Sequence, residues 1–104
     1  MQASEFPSKR TQALHHVSRA QTALESVRSI DGRFAANLSL ALTRTYQTLL
    51  TAEGDALPSS VAETVRGDIQ RAVDGLGITP QEGELARHMS TLRRHVYELI
   101  RLAV

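Results

Sequence analysis

The last quarter of the chain carries the feature that most restricts its fold, a regular stripe of apolar residues. The members of this stripe are Leu85, Met89, Leu92, Val96, Leu99 and Ala103. The steps alternate between four and three residues, which is the spacing of a coiled-coil seam and puts every member on one face of a helix. Thr79, Pro80 and Glu82 have the residue types of an N-cap, a first helical position and a capping-box partner. The pattern predicts an amphipathic helix over residues 80–104.

Two earlier segments show apolar residues at the same kind of spacing. A first helix is predicted over residues 9–29, with Ser8 as its N-cap. Its stripe consists of Leu14, Val17, Ala20, Leu24, Val27 and Ile30. A second helix is predicted over residues 32–52, after a break at Asp31 and Gly32. Its stripe consists of Phe34, Leu38, Ala41, Leu42, Thr45 and Leu49.

A third helix is predicted over residues 60–76, where Ser60 and Glu63 have the spacing of a capping box and Gly77 follows the last turn. Its stripe consists of Val61, Val65, Ile69, Ala72, Val73 and Leu76. Leu and Ala dominate the apolar residues and favour helix, and no segment alternates as a strand would. Short loops between amphipathic helices therefore indicate an all-α fold, specifically a four-helix up-down bundle.

Composition excludes several classes of protein. The 12 Lys and Arg residues nearly balance the 11 Asp and Glu residues, which argues against a strongly basic nucleic-acid binder. The chain has no cysteine, so it forms neither a disulfide nor a thiolate metal site. No apolar run is long enough to span a membrane, and the first residues lack the apolar core of a secretory signal. We expect one soluble, cytoplasmic domain over residues 1–104, with a flexible segment at 1–7.

The four histidines do not have the spacing of a catalytic or metal site. His15 and His16 are adjacent, so their side chains diverge by about 100° on a helix. His88 and His95 share a face, but Leu92 occupies the position where a helical metal site would place its second ligand. The six glycines are scattered singly, so there is no phosphate-binding loop. We predict that the chain is not an enzyme and holds neither a metal nor a cofactor.

A row of arginines in the last helix suggests an alternative function. Arg87, Arg94 and Arg101 recur at seven-residue spacing, and such a stripe can follow a phosphate backbone. Glu84 and Glu98 lie at ion-pairing distance along the same helix. We therefore expect a neutralised, solvated face, and keep RNA-linked regulation through this stripe as the alternative.

The chain has more apolar residues than its four stripes require. Leu40 and Leu50 lie off the stripe of the second helix, and Ile100, Leu102 and Val104 do not all fit on one face of the last helix. Either the bundle buries both sides through its own neighbours, or the surplus forms a surface for an amphipathic partner helix. A third possibility is a homodimer in which the last helix pairs with its copy.

Residues 44–50, followed after a short loop by residues 55–58, resemble the centre of the FlaF family, small flagellar proteins of alphaproteobacteria. That family has a helix of the type Asn-Arg-Leu-Trp-x-x-Leu, a short acidic loop and then Ala-Leu-Pro. Arg44 matches the arginine of this pattern, and Tyr46 stands at the tryptophan position. Thr43 replaces the asparagine, the loop is shorter by a few residues, and the arginine expected after Ala-Leu-Pro comes about one helical turn late.

The resemblance implies a function that the periodicity does not show. FlaF proteins are needed for flagellin production and export, and act as flagellin-dedicated chaperones or regulators in a pathway shared with FlbT. The implied partner is a terminal segment of flagellin, which is amphipathic and disordered before assembly. We expect the partner-binding residues to make the contact or to pack beneath it. These residues are Tyr46, Leu49, Leu50, Leu57, Ile100 and Leu102.

Overall fold

The described part of the chain contains four helices. The computed structural model describes residues 8–30, 36–76 and 83–103. The helices are α1 (Lys9–Ile30), α2 (Ala36–Thr51), α3 (residues 59–76) and α4 (Gly83–Leu102). No strand occurs within these described ranges. The prediction of an all-α protein with four helices is therefore confirmed.

The core is formed by the apolar stripes that the sequence analysis identified. Ala103, directly after α4, is buried, and so are four larger residues of the helix: Met89, Leu92, Val96 and Leu99. Each fully buried residue of this size stabilises the fold by about 1.5–3 kcal/mol relative to exposure. In α1 the buried set also includes three small residues at positions that face its neighbours, which lets those helices approach closely. These residues are Ala13, Ala20 and Ala23.

The helices contact one another in a ring around this core. α1 packs against both α2 and α4, and α3 packs against α2 and α4. Arg28 near the end of α1 is hydrogen-bonded to Ser39 near the start of α2, whereas Arg10 at the start of α1 reaches the carbonyl of Leu49 near the end of α2. These two helices therefore run in opposite directions. The up-down order of the whole chain stays a prediction, because the connections at 31–35 and 77–82 lie outside the described residues.

The helix ends confirm one predicted cap and correct another. Ser8 caps α1, since its Oγ accepts a hydrogen bond from the backbone N–H of Thr11 at 3.1 Å. The predicted capping box of Ser60 is wrong. α3 begins one residue earlier, after Pro58, and no side chain caps it. The predicted cap of α4 at residues 79–82 lies outside the described residues, as do the predicted break at 31–32 and the segment 1–7.

Two further expectations need correction. Ile30 was predicted to continue the stripe of α1, but it is 47% exposed. The reason is that position 30 is rotated by about 100° from the centre of the buried face. The second correction concerns α3, which is not a uniform α-helix. Its α-helical ends, Ser59–Thr64 and Gln70–Leu76, flank a π-helical turn at Val65–Ile69.

Candidate functional site

The outer side of α2 carries two exposed leucines. Leu40 is 51% exposed and Leu50 is 55% exposed, whereas Leu38, Leu42 and Leu49 on the opposite side are at most 1% exposed. The two exposed leucines are ten residues apart, which is about 15 Å along the helix. Ten residues also rotate the side chain by about 80° around the helix axis, so the two leucines are separate apolar points rather than one patch.

Leu40 also lines a cleft between α2 and α3. The cleft has a volume of about 480 Å³. Leu40, Ala41 and Ala72 give it an apolar strip. Polar side chains complete the lining, and they include Asn37, Arg44, Thr64, Asp68 and Arg71. An apolar strip bordered by charges of both signs is suited to one face of an amphipathic helix.

The π-helical turn of α3 forms one wall of this cleft. Asp68 lies within the turn and binds Arg71 at 2.7 Å. Both side chains are largely exposed, so the pair is worth only a few tenths of a kcal/mol. Single π-helical turns inside α-helices occur frequently at functional sites. The geometry thus gives this wall an irregular backbone and a charged rim.

The predicted partner-binding residues fall into three groups. Leu50 is exposed. Tyr46, Leu57, Ile100 and Leu102 are half-buried and pack against the core. Leu49 is fully buried and faces the bundle interior, so of the two predicted roles only packing beneath a surface is open to it.

The arginine stripe of α4 is only partly neutralised. Arg101 binds Glu98 at 2.9 Å. The predicted pair of Glu84 with Arg87 does not form an ion pair, and Arg94 has no carboxylate partner within the part of the chain that the structure describes. The expectation of a fully neutralised face is therefore wrong at these two arginines.

A cluster of imidazole rings lies between α1 and α4. The Nδ1 atoms of His16 and His95 are 3.1 Å apart, which is hydrogen-bonding distance. The ring of His15 lies edge-on to both, with its centroid 5.1 Å from that of His16 and 6.2 Å from that of His95. One Nδ1 must donate and the other accept, so at least one of the two bonded rings must be neutral.

The surroundings of His16 and His95 disfavour protonation of both rings. Burial lowers the pKa of His16 below its ordinary value, the charge of His15 lowers it further, and Glu98 opposes the shift. Burial also lowers the pKa of His95, and the nearby charges of His16, Arg94, His15 and Arg19 lower it further. The cluster thus favours neutral imidazoles at these two positions.

Sequence reasoning missed this cluster because it depends on the alignment of two helices. His15 and His16 belong to α1 and His95 to α4, and spacing within one helix says nothing of the neighbour that faces it. Within the described residues, no group of three or more His, Asp or Glu side chains is arranged to hold a metal ion.

No helix in the described part of the chain has the length and apolar character needed to cross a membrane. Comparisons with protein-family models, with curated proteins and with solved structures found no match to this chain.

Proposed function

We propose that this chain is a non-enzymatic helical adaptor that binds an amphipathic segment of a partner protein along α2. On the resemblance to the FlaF family, the segment is a terminal region of flagellin. The chain then acts in the cytoplasm as a flagellin export chaperone or regulator, in the pathway that also uses FlbT. The observation that supports the adaptor role most directly is the exposure of Leu40 and Leu50 on a helix whose other side is already buried.

The cleft between α2 and α3 supplies what a helical ligand needs. Its apolar strip, which includes the exposed Leu40, takes the apolar face of the segment. Arg44 at its rim pairs with a carboxylate on the flank of that segment, whereas Arg71 is already bound to Asp68. Leu50 lies about 15 Å further along α2 and about 80° around its axis from Leu40, so it contacts a part of the partner outside the cleft.

A disordered client also accounts for reversible binding. An unfolded flagellin terminus must become ordered when it binds, and this ordering cost offsets part of the free energy of apolar burial. The affinity is therefore moderate, which suits a chaperone that releases its client for export.

Calorimetric titration of the chain with a synthetic peptide of the flagellin C-terminal segment tests the proposal. Leu40→Asp and Leu50→Asp each weaken binding at least tenfold, because an aspartate leaves an unpaired charge in an apolar contact. Ser90→Asp, an exposed polar position on α4, is the matched control and leaves binding unchanged. Circular dichroism of every variant shows the helix content of the wild type. No binding by the wild-type chain, or equal weakening by Ser90→Asp, refutes the proposal.

The competing occupant of the exposed leucines is a second copy of this chain. Sedimentation at several protein concentrations distinguishes the two. A monomer at all concentrations supports the adaptor, and a dimer that Leu40→Asp or Leu50→Asp dissociates would assign the surface to self-association instead.

A further inference from the structure

A second cleft lies between α1 and α4 and shares neither helix with the cleft between α2 and α3. Its volume is about 450 Å³. Its lining is basic and hydroxylic, and no carboxylate contributes to it. The polar residues of the lining are His15, Arg19, Thr22, Ser26, His88, Thr91, Arg94 and His95. Neither the flagellin resemblance nor the exposed leucines explain this surface.

Two arginines face this cleft without a counter-charge. Arg19 and Arg94 make no ion pair or side-chain hydrogen bond with any residue that the structure describes. Both arginines line the same cleft as His95, so two unpaired positive charges border one cavity. Neighbouring Arg101, by contrast, is paired with Glu98.

Converging cations without an acid are the usual arrangement for binding an anion. Two guanidinium groups present forked N–H donors that match the oxygens of a phosphoryl group. A neutral imidazole adds one N–H donor, and a protonated imidazole adds two. The hydroxyls of Thr22 and Thr91 already donate to carbonyls in their own helices, so the arginines and histidines carry the recognition.

We propose that the cleft between α1 and α4 is a binding site for the phosphoryl group of a small molecule. Arg19 and Arg94 bind this group, and His15 and His95 are additional hydrogen-bond donors. The site fits a phosphate monoester or free phosphate. A metal ion does not fit, because two unpaired guanidinium groups repel it and the described residues provide no three-ligand set.

Binding of such an anion is coupled to the histidines. A dianion beside His95 offsets the charges of Arg19, Arg94, His15 and His16, which disfavour protonation of that ring. Glu98, which faces His16 from α4, acts in the same direction as the anion. The bound phosphoryl group therefore draws a proton onto the cluster, which means that a given charge state of the anion binds more tightly when the ring of His95 is protonated.

Calorimetric titration with inorganic phosphate and with adenosine monophosphate tests the site, with chloride at matched ionic strength as the reference. Both phosphate ligands bind, and chloride does not. Binding of inorganic phosphate as strong as that of the nucleotide shows that the free anion suffices. Stronger binding of the nucleotide shows that the site also contacts the nucleoside attached to the phosphate. An absence of binding by both phosphate ligands overturns the proposal.

Variants separate the cleft from the general charge of α4. Arg19→Gln and Arg94→Gln each weaken phosphate binding about tenfold or more, the value of one charge-assisted hydrogen bond. Arg87→Gln is the control, because Arg87 lies on the same helix outside the lining, and it leaves the affinity within about twofold. Equal loss in Arg87→Gln overturns the proposal.

Two further measurements complete the test. The first uses the wild-type chain, so it does not depend on whether a variant folds, and the second distinguishes a small anion from RNA. In an NMR titration of the imidazole protons, phosphate raises the pKa of His95 in the wild type, and an unmoved pKa contradicts the site. The second measurement is a titration with single-stranded RNA. If RNA binds more tightly than the nucleotide, and Arg87→Gln and Arg94→Gln reduce its affinity equally, the arginine stripe of α4 binds nucleic acid and the small-anion site is refuted.

Discussion

At the scale of single residues, Leu49 and Leu50 show how one step along α2 separates the core from a binding surface. Leu49 is fully buried and Leu50 is 55% exposed. Leu49→Ala is expected to lower the free energy of unfolding by about 2–5 kcal/mol, since it removes buried methyl groups and leaves a cavity. Leu50→Ala changes it by about 0.5 kcal/mol or less. Denaturant unfolding of both variants measures the difference, and equal losses would contradict the assignment of the two faces.

A second residue-scale prediction concerns Arg10, which closes the end of α2. Its Nε donates to the carbonyl of Gly54 at 2.8 Å and its Nη1 to the carbonyl of Leu49 at 3.2 Å. Carbonyls at a helix end lack partners within the helix, and a cation there is favourable. Arg10→Gln is expected to lower the free energy of unfolding by about 1 kcal/mol.

The control for Arg10 is Arg87→Gln, which removes an exposed arginine on α4 that makes no ion pair within the described part of the chain. Thermal unfolding of both variants, followed by circular dichroism, gives the comparison. A loss in Arg87→Gln as large as that in Arg10→Gln would show that net charge, rather than the contact with α2, determines the effect.

At the scale of helices, the glycines of α3 and of the loop before it are predicted to respond in opposite directions. Gly67 lies in the π-helical turn with an ordinary negative φ, and an added methyl group would lie 3.7 Å from the guanidinium of Arg71, an ordinary contact. Gly67→Ala is expected to raise the free energy of unfolding by about 0.5–1 kcal/mol, because alanine loses less entropy in a helix.

Gly54 provides the opposite case, since its φ of 81° is in the left-handed region. Gly54→Ala is expected to lower the free energy of unfolding by about 1–2 kcal/mol. Urea unfolding of both variants measures the sign of each change in the free energy of unfolding. Destabilisation by Gly67→Ala would mean that the π-helical turn requires glycine for a reason other than backbone freedom.

The helices themselves were predictable from the sequence, because each apolar stripe repeats often enough to define a face. The stripe of α4 from Met89 to Ala103 is buried as predicted. The π-helical turn of α3 was not predictable, since its apolar spacing at Val65 and Ile69 is the same as that of an α-helix. Ser60 has the residue type of an N-cap, but the helix begins one residue earlier, directly after Pro58.

At the scale of the whole molecule, the candidate sites depend on how helices face each other, which the sequence pattern does not specify. Leu40 and Leu50 could be identified as surplus leucines because they lie off the stripe of α2. The cleft beside Leu40 could not be identified from the sequence, because Arg71 and Ala72 on its other side belong to α3. The cluster of His16 and His95 likewise joins α1 and α4, so only the packed bundle reveals it.

The histidine cluster makes the stability of the whole bundle depend on pH. The pKa values of His16 and His95 are lowered in the folded chain, so below about pH 6.5 the unfolded chain binds more protons than the folded one. Stability is therefore fully present above about pH 6.5 and is lost as the pH falls through the lowered pKa values. Double protonation also breaks the bond between the two rings.

Midpoints of thermal unfolding between pH 5 and 8, in a buffer without phosphate, check this dependence. The midpoint falls on acidification below about pH 6.5 in the wild type, and it falls less in His95→Asn, which removes one titrating ring and the bond to His16. An equally steep fall in His95→Asn would contradict the role of the cluster.

The most direct test of the adaptor role is a map of the surface that the partner covers. Amide chemical-shift perturbation of the isotope-labelled chain, titrated with an unlabelled flagellin C-terminal segment, gives this map. We expect shifts concentrated around Leu40 and Leu50 on α2 and around Asp68 and Ala72 on α3. The α4 residues that line the cleft against α1, such as Thr91 and Arg94, are unaffected. Perturbations confined to α4, or no perturbation at saturating segment, would contradict this expectation.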